Sequence, residues 1–372
     1  MLFKRRWIPS WFEKRSHSVT PPVSLAIPEA AITFLRRIPK AEIHLHFEGT
    51  LSAETILRLG KKYQVGDIRT RSDAEWCLYF SHAQQFFERF LFVSSLLREP
   101  EDFYIAALDL GNRLAEENIR YAEITLAPHK FLRQGMDYSQ MLDAMDRGLK
   151  NARDGRRREY RIIIDVVRDL GPEAGLEMMR EVERFPHPQV VGIGLGGSEA
   201  FPPEQSMEVY EFAETLGLRK TAHAGEGRGP ASIWGALRFL KVERIDHGVR
   251  AREDSELVAY LVEHRIPLNL CPTSNVMLGL FPSLEEHPFR FYYDRGIPVT
   301  IGTDDPAFFK TTLTEELIKL VAYQGLRIEQ IPDLMSNALR ASFLPDPLKQ
   351  KLLADFASET KDHLPQTVNK TE

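Results

Sequence analysis

The stretch LRKTAHAGEGRGPASIWGALRFLKVERIDHGVR, residues 218–250, opens on a strand-length run at 218–224. It continues through a glycine-rich loop into a helix-length segment at 230–240 and closes on a second short run at 244–247. Two strands separated by one helix form a β-α-β unit, and such units align their strands in parallel. Each strand ends in groups that can carry chemistry: His223-Ala224-Gly225-Glu226 after the first, Asp246-His247-Gly248 at the second. In parallel α/β folds those ends and the loops beyond them form the ligand-binding face.

The same rhythm extends in both directions. Strand-like runs are expected at 41–46, 120–127, 160–167, 190–195, 266–271 and 297–303, and the gaps at 206–217 and 254–264 suit one helix each. Eight strands with helical crossovers predict a (β/α)8 TIM barrel. The gap from 50 to 118 is too long for one helix. Its helix-like segments at 53–63, 82–97 and 102–117 are expected as extra helices over the C-terminal mouth. No repeat or linker interrupts 39–340, so one barrel domain is expected over 23–345. A flexible basic extension is expected over 1–22, and a C-terminal helix and polar tail over 346–372.

Composition narrows the function. Of the 372 residues, 43% are hydrophobic and 27% charged, enough for a large core and a charged exterior. A formal net charge of −5 argues against nucleic acid as a partner, since phosphate binding needs a basic surface. Two cysteines, Cys77 and Cys271, are too few for a disulfide framework or a Cys-rich zinc site, and fit a cytoplasmic protein. No apolar run reaches the length of a signal-peptide core or a membrane span.

The strand ends gather candidate metal ligands. His44 and His46 close the first strand two residues apart, so both imidazoles point to the same side. His223 stands on the fifth strand, His247 on the sixth, and Asp304 with Asp305 after the eighth. Three imidazoles and a carboxylate with water make an open catalytic zinc site, the expected ligands being His44, His46, His223 and Asp304. Other divalent ions accept the same donors. The fourth strand ends in Gly194-Leu195-Gly196-Gly197 with no ligand at its tip, which predicts one Zn2+ per chain and close approach of backbone to ligand.

These residues carry a resemblance. PKAEIHLHFEGT, TAHAGEG, RIDHGVR, LCPTSN and TIGTDDP, in this order, resemble the adenosine deaminase family of the amidohydrolase superfamily over roughly residues 39–340. The resemblance implies hydrolytic deamination of a 6-aminopurine, adenosine by default, in a zinc site made by His44, His46, His223 and Asp304. It implies that Glu226 contacts the purine N1, Asp305 the N7, and the backbone N–H of Gly197 the N3. His247 would stand beside the attacking water, and Ser274 would lie just outside the metal ligands. The other zinc-deaminase solution needs H-x-E with P-C-x-x-C, which Cys271-Pro272 cannot supply.

The sequence departs from the adenosine-specific pattern after the first strand. Where those enzymes place an Asp that contacts the ribose, this chain has Glu48, and Gly196-Gly197-Ser198-Glu199 replaces the usual AGDE. Adenine, 6-aminodeoxyfutalosine and N6-substituted AMP are therefore rival substrates. A metal hydrolase of esters or lactones and a noncatalytic binding relative remain as other classes. Glu226 and Asp305 discriminate against the former, because both suit heterocycle nitrogens and neither is needed for ester hydrolysis.

Overall fold

The computed structural model describes residues 27–152 and 158–363; the basic extension expected over 1–22 and the last residues of the tail lie outside them. Eight parallel strands form the barrel: β1 Lys40–His46, β2 Ile119–Leu126, β3 Glu159–Val167, β4 Val190–Gly196, β5 Arg219–Ala224, β6 Arg244–His247, β7 Leu268–Leu270 and β8 Val299–Ile301. Each pairs with the next in sequence. The ring closes between the tips of β1 and β8, where His46 N donates to Asp304 O (2.9 Å) and Asp304 N to His44 O (3.2 Å). A side chain at Gly302 would press on the His44 carbonyl, so the bare backbone there lets the two strand ends meet. This is the expected TIM barrel.

Strands β7 and β8 are shorter than expected, and proline is the reason. Pro267 and Pro298 have no N–H to give to a ladder, so regular pairing begins one residue later in each. In β1 the register slips by one residue against β2 between Glu42 and Leu45. Such a bulge re-aims side chains, and His44 lies within it.

The long segment between β1 and β2 holds four helices, Ala53–Lys62, Arg71–Cys77, Ala83–Ser94 and Pro100–Glu116. Helix Ala83–Ser94 caps the mouth: Phe86 packs at 5.4 Å and 5.2 Å on Phe308 and Phe309, just beyond the β8 tip. Helix Pro100–Glu116 instead packs on β2 and helix Tyr138–Asn151. It is the outer-ring crossover, and its apolar face of Phe103, Ala106, Ala107, Leu110 and Leu114 is buried. Helix Asp346–Lys361 docks on the barrel through Leu352 and Phe356. Among the described residues no helix is long and apolar enough to cross a membrane.

Candidate active site

At the mouth, β1, β5, β6 and the turn after β8 bring His44, His46, His223, His247 and Asp304 together. One ligand atom each from His44, His223, His247 and Asp304 lies within 4.8 Å of all the others. His46 Nε2 stands 3.1 Å from His223 Nε2 and 3.3 Å from Asp304 Oδ1, and His44 Nε2 is also 3.3 Å from that oxygen. Two imidazole nitrogens facing each other over a shared carboxylate suit a cation between them. His223 Nδ1 is buried with no hydrogen-bond partner among the described residues. This donor set fits a divalent ion.

What holds these side chains lies beneath them. Asp246 is buried, accepting from Thr221 Oγ1 (2.8 Å) and Asn269 Nδ2 (2.6 Å), and stands 3.2 Å from His44 Nδ1. That contact turns His44 Nε2 toward the cluster, as outer carboxylates do for metal-ligating histidines. Ser274 Oγ donates to Asp304 Oδ2 (2.6 Å). His247 and Asp304 both take left-handed backbone, φ 64° and 62°. Non-glycine residues adopt it at a cost of about 1–3 kcal/mol and hold it only when their surroundings demand it.

The electrostatics divide the acids. Burial alone would neutralise Asp304, yet the imidazoles of His44 and His46 hold it well below the usual carboxylate range. Its neighbour Asp305 is pushed well above that range by burial and then by the Asp304 charge. Asp305 Oδ1 has no partner among the described residues. Glu226 is raised to about 8 by burial, with the Asp304 and Glu199 charges adding to it. Burial lowers His247 to about 3. The mouth thus presents a charged acid, two neutral acids and a neutral imidazole side by side, and such separation assigns proton roles.

Glu226 Oε1 is 3.4 Å from His247 Nδ1 and accepts from Asn275 Nδ2 (3.1 Å); Asn275 Oδ1 in turn meets His287 Nε2 at 3.1 Å. Gly197 lies on the turn after β4 at φ 90°, where a Cβ would overlap the Asp169 carboxylate. Glu48 is buried on the turn after β1 and accepts from the N–H of Ala127 (3.1 Å).

Sequence reasoning overlooked Glu199. Its carboxylate accepts from the N–H groups of Gly227 and Arg228 (both 2.6 Å), from Glu226 N (3.4 Å) and from Ser232 Oγ (3.1 Å), fixing the loop that carries Glu226. The one signal was an acid directly after a glycine-rich strand end. Asp246 was visible at a strand end and Asn275 at the end of LCPTSN, both without a role, and His287 left no local pattern.

The chain is similar to proteins of named activity. It is 34% identical over 333 residues to an adenine deaminase of Hahella chejuensis, covering 89% of this chain and 99% of that one. It is 33% identical over 352 residues to an aminodeoxyfutalosine deaminase of Streptomyces coelicolor, covering 92% and 89%. A solved amidohydrolase from Burkholderia ambifaria with bound zinc superposes with a TM-score of 0.84 at 25% identity, covering 92% and 96%. The sequence model described as adenosine deaminase matches residues 39–359. The chain belongs to the adenosine deaminase family.

Proposed function

We propose that the protein hydrolyses the C6 amino group of a 6-aminopurine, releasing ammonia, with adenine ahead of adenosine as substrate. The observation that carries the reading is the placement of the Glu226 carboxyl beside the His/Asp cluster, 3.4 Å from His247 Nδ1, where burial raises it to about 8. A neutral acid there can give its proton to N1 as water adds at C6, so the ring never holds a full negative charge.

His44, His46, His223 and Asp304 would hold one ion, and zinc is the reading that the donor set supports. Such an ion supplies, when bound, a Lewis acid that makes water nucleophilic near neutral pH. Asp304 Oδ2 and His247 Nε2, 3.9 Å apart, flank the attacking water and take its proton. A C–O bond forms at C6, the C6–N1 double bond opens, and N1 receives the Glu226 proton. Return of the water's proton to the amino nitrogen lets the C6–N bond break and ammonia leave as C6 becomes a carbonyl, and the proton shed by its hydroxyl restores Glu226. Asp305, its carboxyl pushed up by burial and its Oδ1 without a hydrogen-bond partner among the described residues, would donate to N7, and the Gly197 N–H to N3.

Adenine comes first because of Glu48. Its Oε1 accepts from the Ala127 N–H, and with one methylene more than the Asp that the resemblance places on the ribose it would meet a ribose hydroxyl from a shifted position. The relatives named above, an adenine and an aminodeoxyfutalosine deaminase, agree with a site that does not require plain adenosine. Ammonia release measured over adenine, adenosine, deoxyadenosine and 6-aminodeoxyfutalosine tests this. The expected kcat/KM for adenine or 6-aminodeoxyfutalosine exceeds that for adenosine by at least about tenfold, the scale of effect that a small misplacement produces. Hydrolysis of an ester or lactone with no 6-aminopurine turned over would overturn the deaminase reading.

A further inference from the structure

Glu48 has a neighbour of opposite charge. Lys130 stands on helix His129–Arg133, directly after β2, three residues beyond the Ala127 N–H that Glu48 accepts. The two side chains therefore share one edge of the mouth, from adjacent strand ends. Lys130 reaches under the mouth helix Ala83–Ser94, where Nζ donates to Ser94 Oγ and lies 4.6 Å and 6.0 Å from the ring centres of Phe131 and Phe90. Ser94 Oγ already gives its own proton to Phe90 O (2.7 Å), so toward Lys130 it can only accept.

An ammonium has three N–H donors. This one has a single hydroxyl acceptor and no ion-paired carboxylate among the described residues. Burial pushes it down to about 8, and the Glu48 charge only partly opposes that. The Phe131 and Phe90 rings attract the ammonium through their faces, but its remaining N–H donors are without acceptors among the described residues, and a buried donor without one is costly. Nothing in the base-reading chemistry of Glu226, Asp305 and Gly197 makes use of Lys130. At the edge where the family resemblance places the sugar, the chain holds an underused cation and an acid that already accepts from the Ala127 N–H.

We propose that Lys130 seats the anionic group, a phosphate or a carboxylate, of a 6-aminopurine substituted on its sugar side; this rests on the deaminase reading above. Base recognition stays with the mouth cluster, and Lys130 adds affinity for substrates whose far end is charged. Adenine, which has no such group, binds without it.

The test compares wild type, Lys130→Met and Lys130→Arg on adenine, AMP and 6-aminodeoxyfutalosine, the last two carrying a phosphate and a carboxylate. In Lys130→Met, kcat/KM for adenine is expected to stay within about twofold. For an anionic substrate it should fall about tenfold or more, carried by KM, as for loss of a charge-assisted hydrogen bond. Lys130→Arg should recover most of that. A loss confined to AMP identifies phosphate as the anion, and one confined to 6-aminodeoxyfutalosine identifies carboxylate. Equal loss on all three substrates makes Lys130 a structural prop and overturns the proposal. So does a wild type that takes adenine and neither anionic purine, or anionic turnover indifferent to Lys130→Met.

If wild type releases ammonia from none of the three, nor from adenosine or deoxyadenosine, the deaminase reading fails on its own. Calorimetric titration with inosine and inosine 5′-monophosphate then decides the seat. At least tenfold tighter binding of the phosphate form, erased by Lys130→Met, sustains it, and no preference overturns it.

Discussion

The barrel buries ionisable groups toward both ends, and the two sets are built to opposite rules. Toward the N-terminal ends of the strands, the Glu123 carboxylate accepts from Tyr121 OH and the N–H of Phe343 and is ion-paired with Arg244 Nη2, each at 2.5 Å. Arg244 also donates to Ala341 O (3.1 Å), with its guanidinium 3.9 Å from the Phe343 ring centre. One acid meets one base, and both hold the chain segment that follows helix Ile331–Ala341. At the mouth, four imidazoles and three acids crowd together. Among the described residues, His223 Nδ1, 3.9 Å from Asp246 Oδ2, and Asp305 Oδ1 make no hydrogen bond there, and two residues sit in strained backbone. The floor, where Glu123 Oε2 and Arg244 Nε also lack a hydrogen bond among the described residues, is closed by two charges that cancel, whereas the mouth gathers more acids and imidazoles than it pairs. A buried polar group is costly in either place, but only at the mouth can function account for it.

Substitutions at the two ends should therefore separate activity from stability. The largest effect is expected from Glu226→Gln, which keeps the shape and a hydrogen bond but removes the donated proton. Turnover should drop by about 10^3-fold or more, with metal content and melting temperature close to wild type. Loss of metal in this variant would instead make Glu226 a ligand. At the floor, Arg244→Met leaves Glu123 buried without its cation and should cost about 3–5 kcal/mol of stability. Thermal unfolding should show that loss, while kcat per folded molecule stays within about twofold. A drop in kcat as large as that of Glu226→Gln would erase the distinction between the two ends.

The smallest effect is one of pH. Glu226 must carry its proton to act, and its folded value is raised to about 8. Activity is therefore expected to hold below that value and to fall about tenfold per unit above it, as the acid deprotonates. Glu226→Gln, having no such proton, should lose this alkaline limb from its residual rate. A wild-type limb that persists in Glu226→Gln would assign the titration to another group.

Much of the mouth was legible because its residues sit at strand ends, and strands announce themselves as short apolar runs. His44, His46, His223, His247 and Asp304 stand at or just beyond such ends, so finding the strands found them. The starts of β7 and β8 were misread because Pro267 and Pro298 are apolar in pattern yet have no N–H to donate, although their carbonyls accept from Ile245 and Leu268. Helix Pro100–Glu116 was read as a mouth cover because spacing shows that a helix has an apolar face, not which partner covers it. Glu199 and Asn275 went unassigned for a related reason. Glu199 grips backbone N–H groups 27 to 29 residues away, and Asn275 bridges Glu226 and His247 from the helix after β7. Contacts between loops leave no periodicity behind.

The seam between β1 and β8 bears on how the protein is made. Asp304 closes the ring through its backbone and reaches His44 and His46 through its side chain, with some 260 residues between those partners. On a ribosome emitting about 5–20 residues per second, the histidines of β1 emerge well before the aspartate that completes their cluster. A nascent chain, or one cut short ahead of β8, can carry every other strand and still lack the assembled site. The cell therefore meets this chemistry only once nearly the whole barrel has been synthesised.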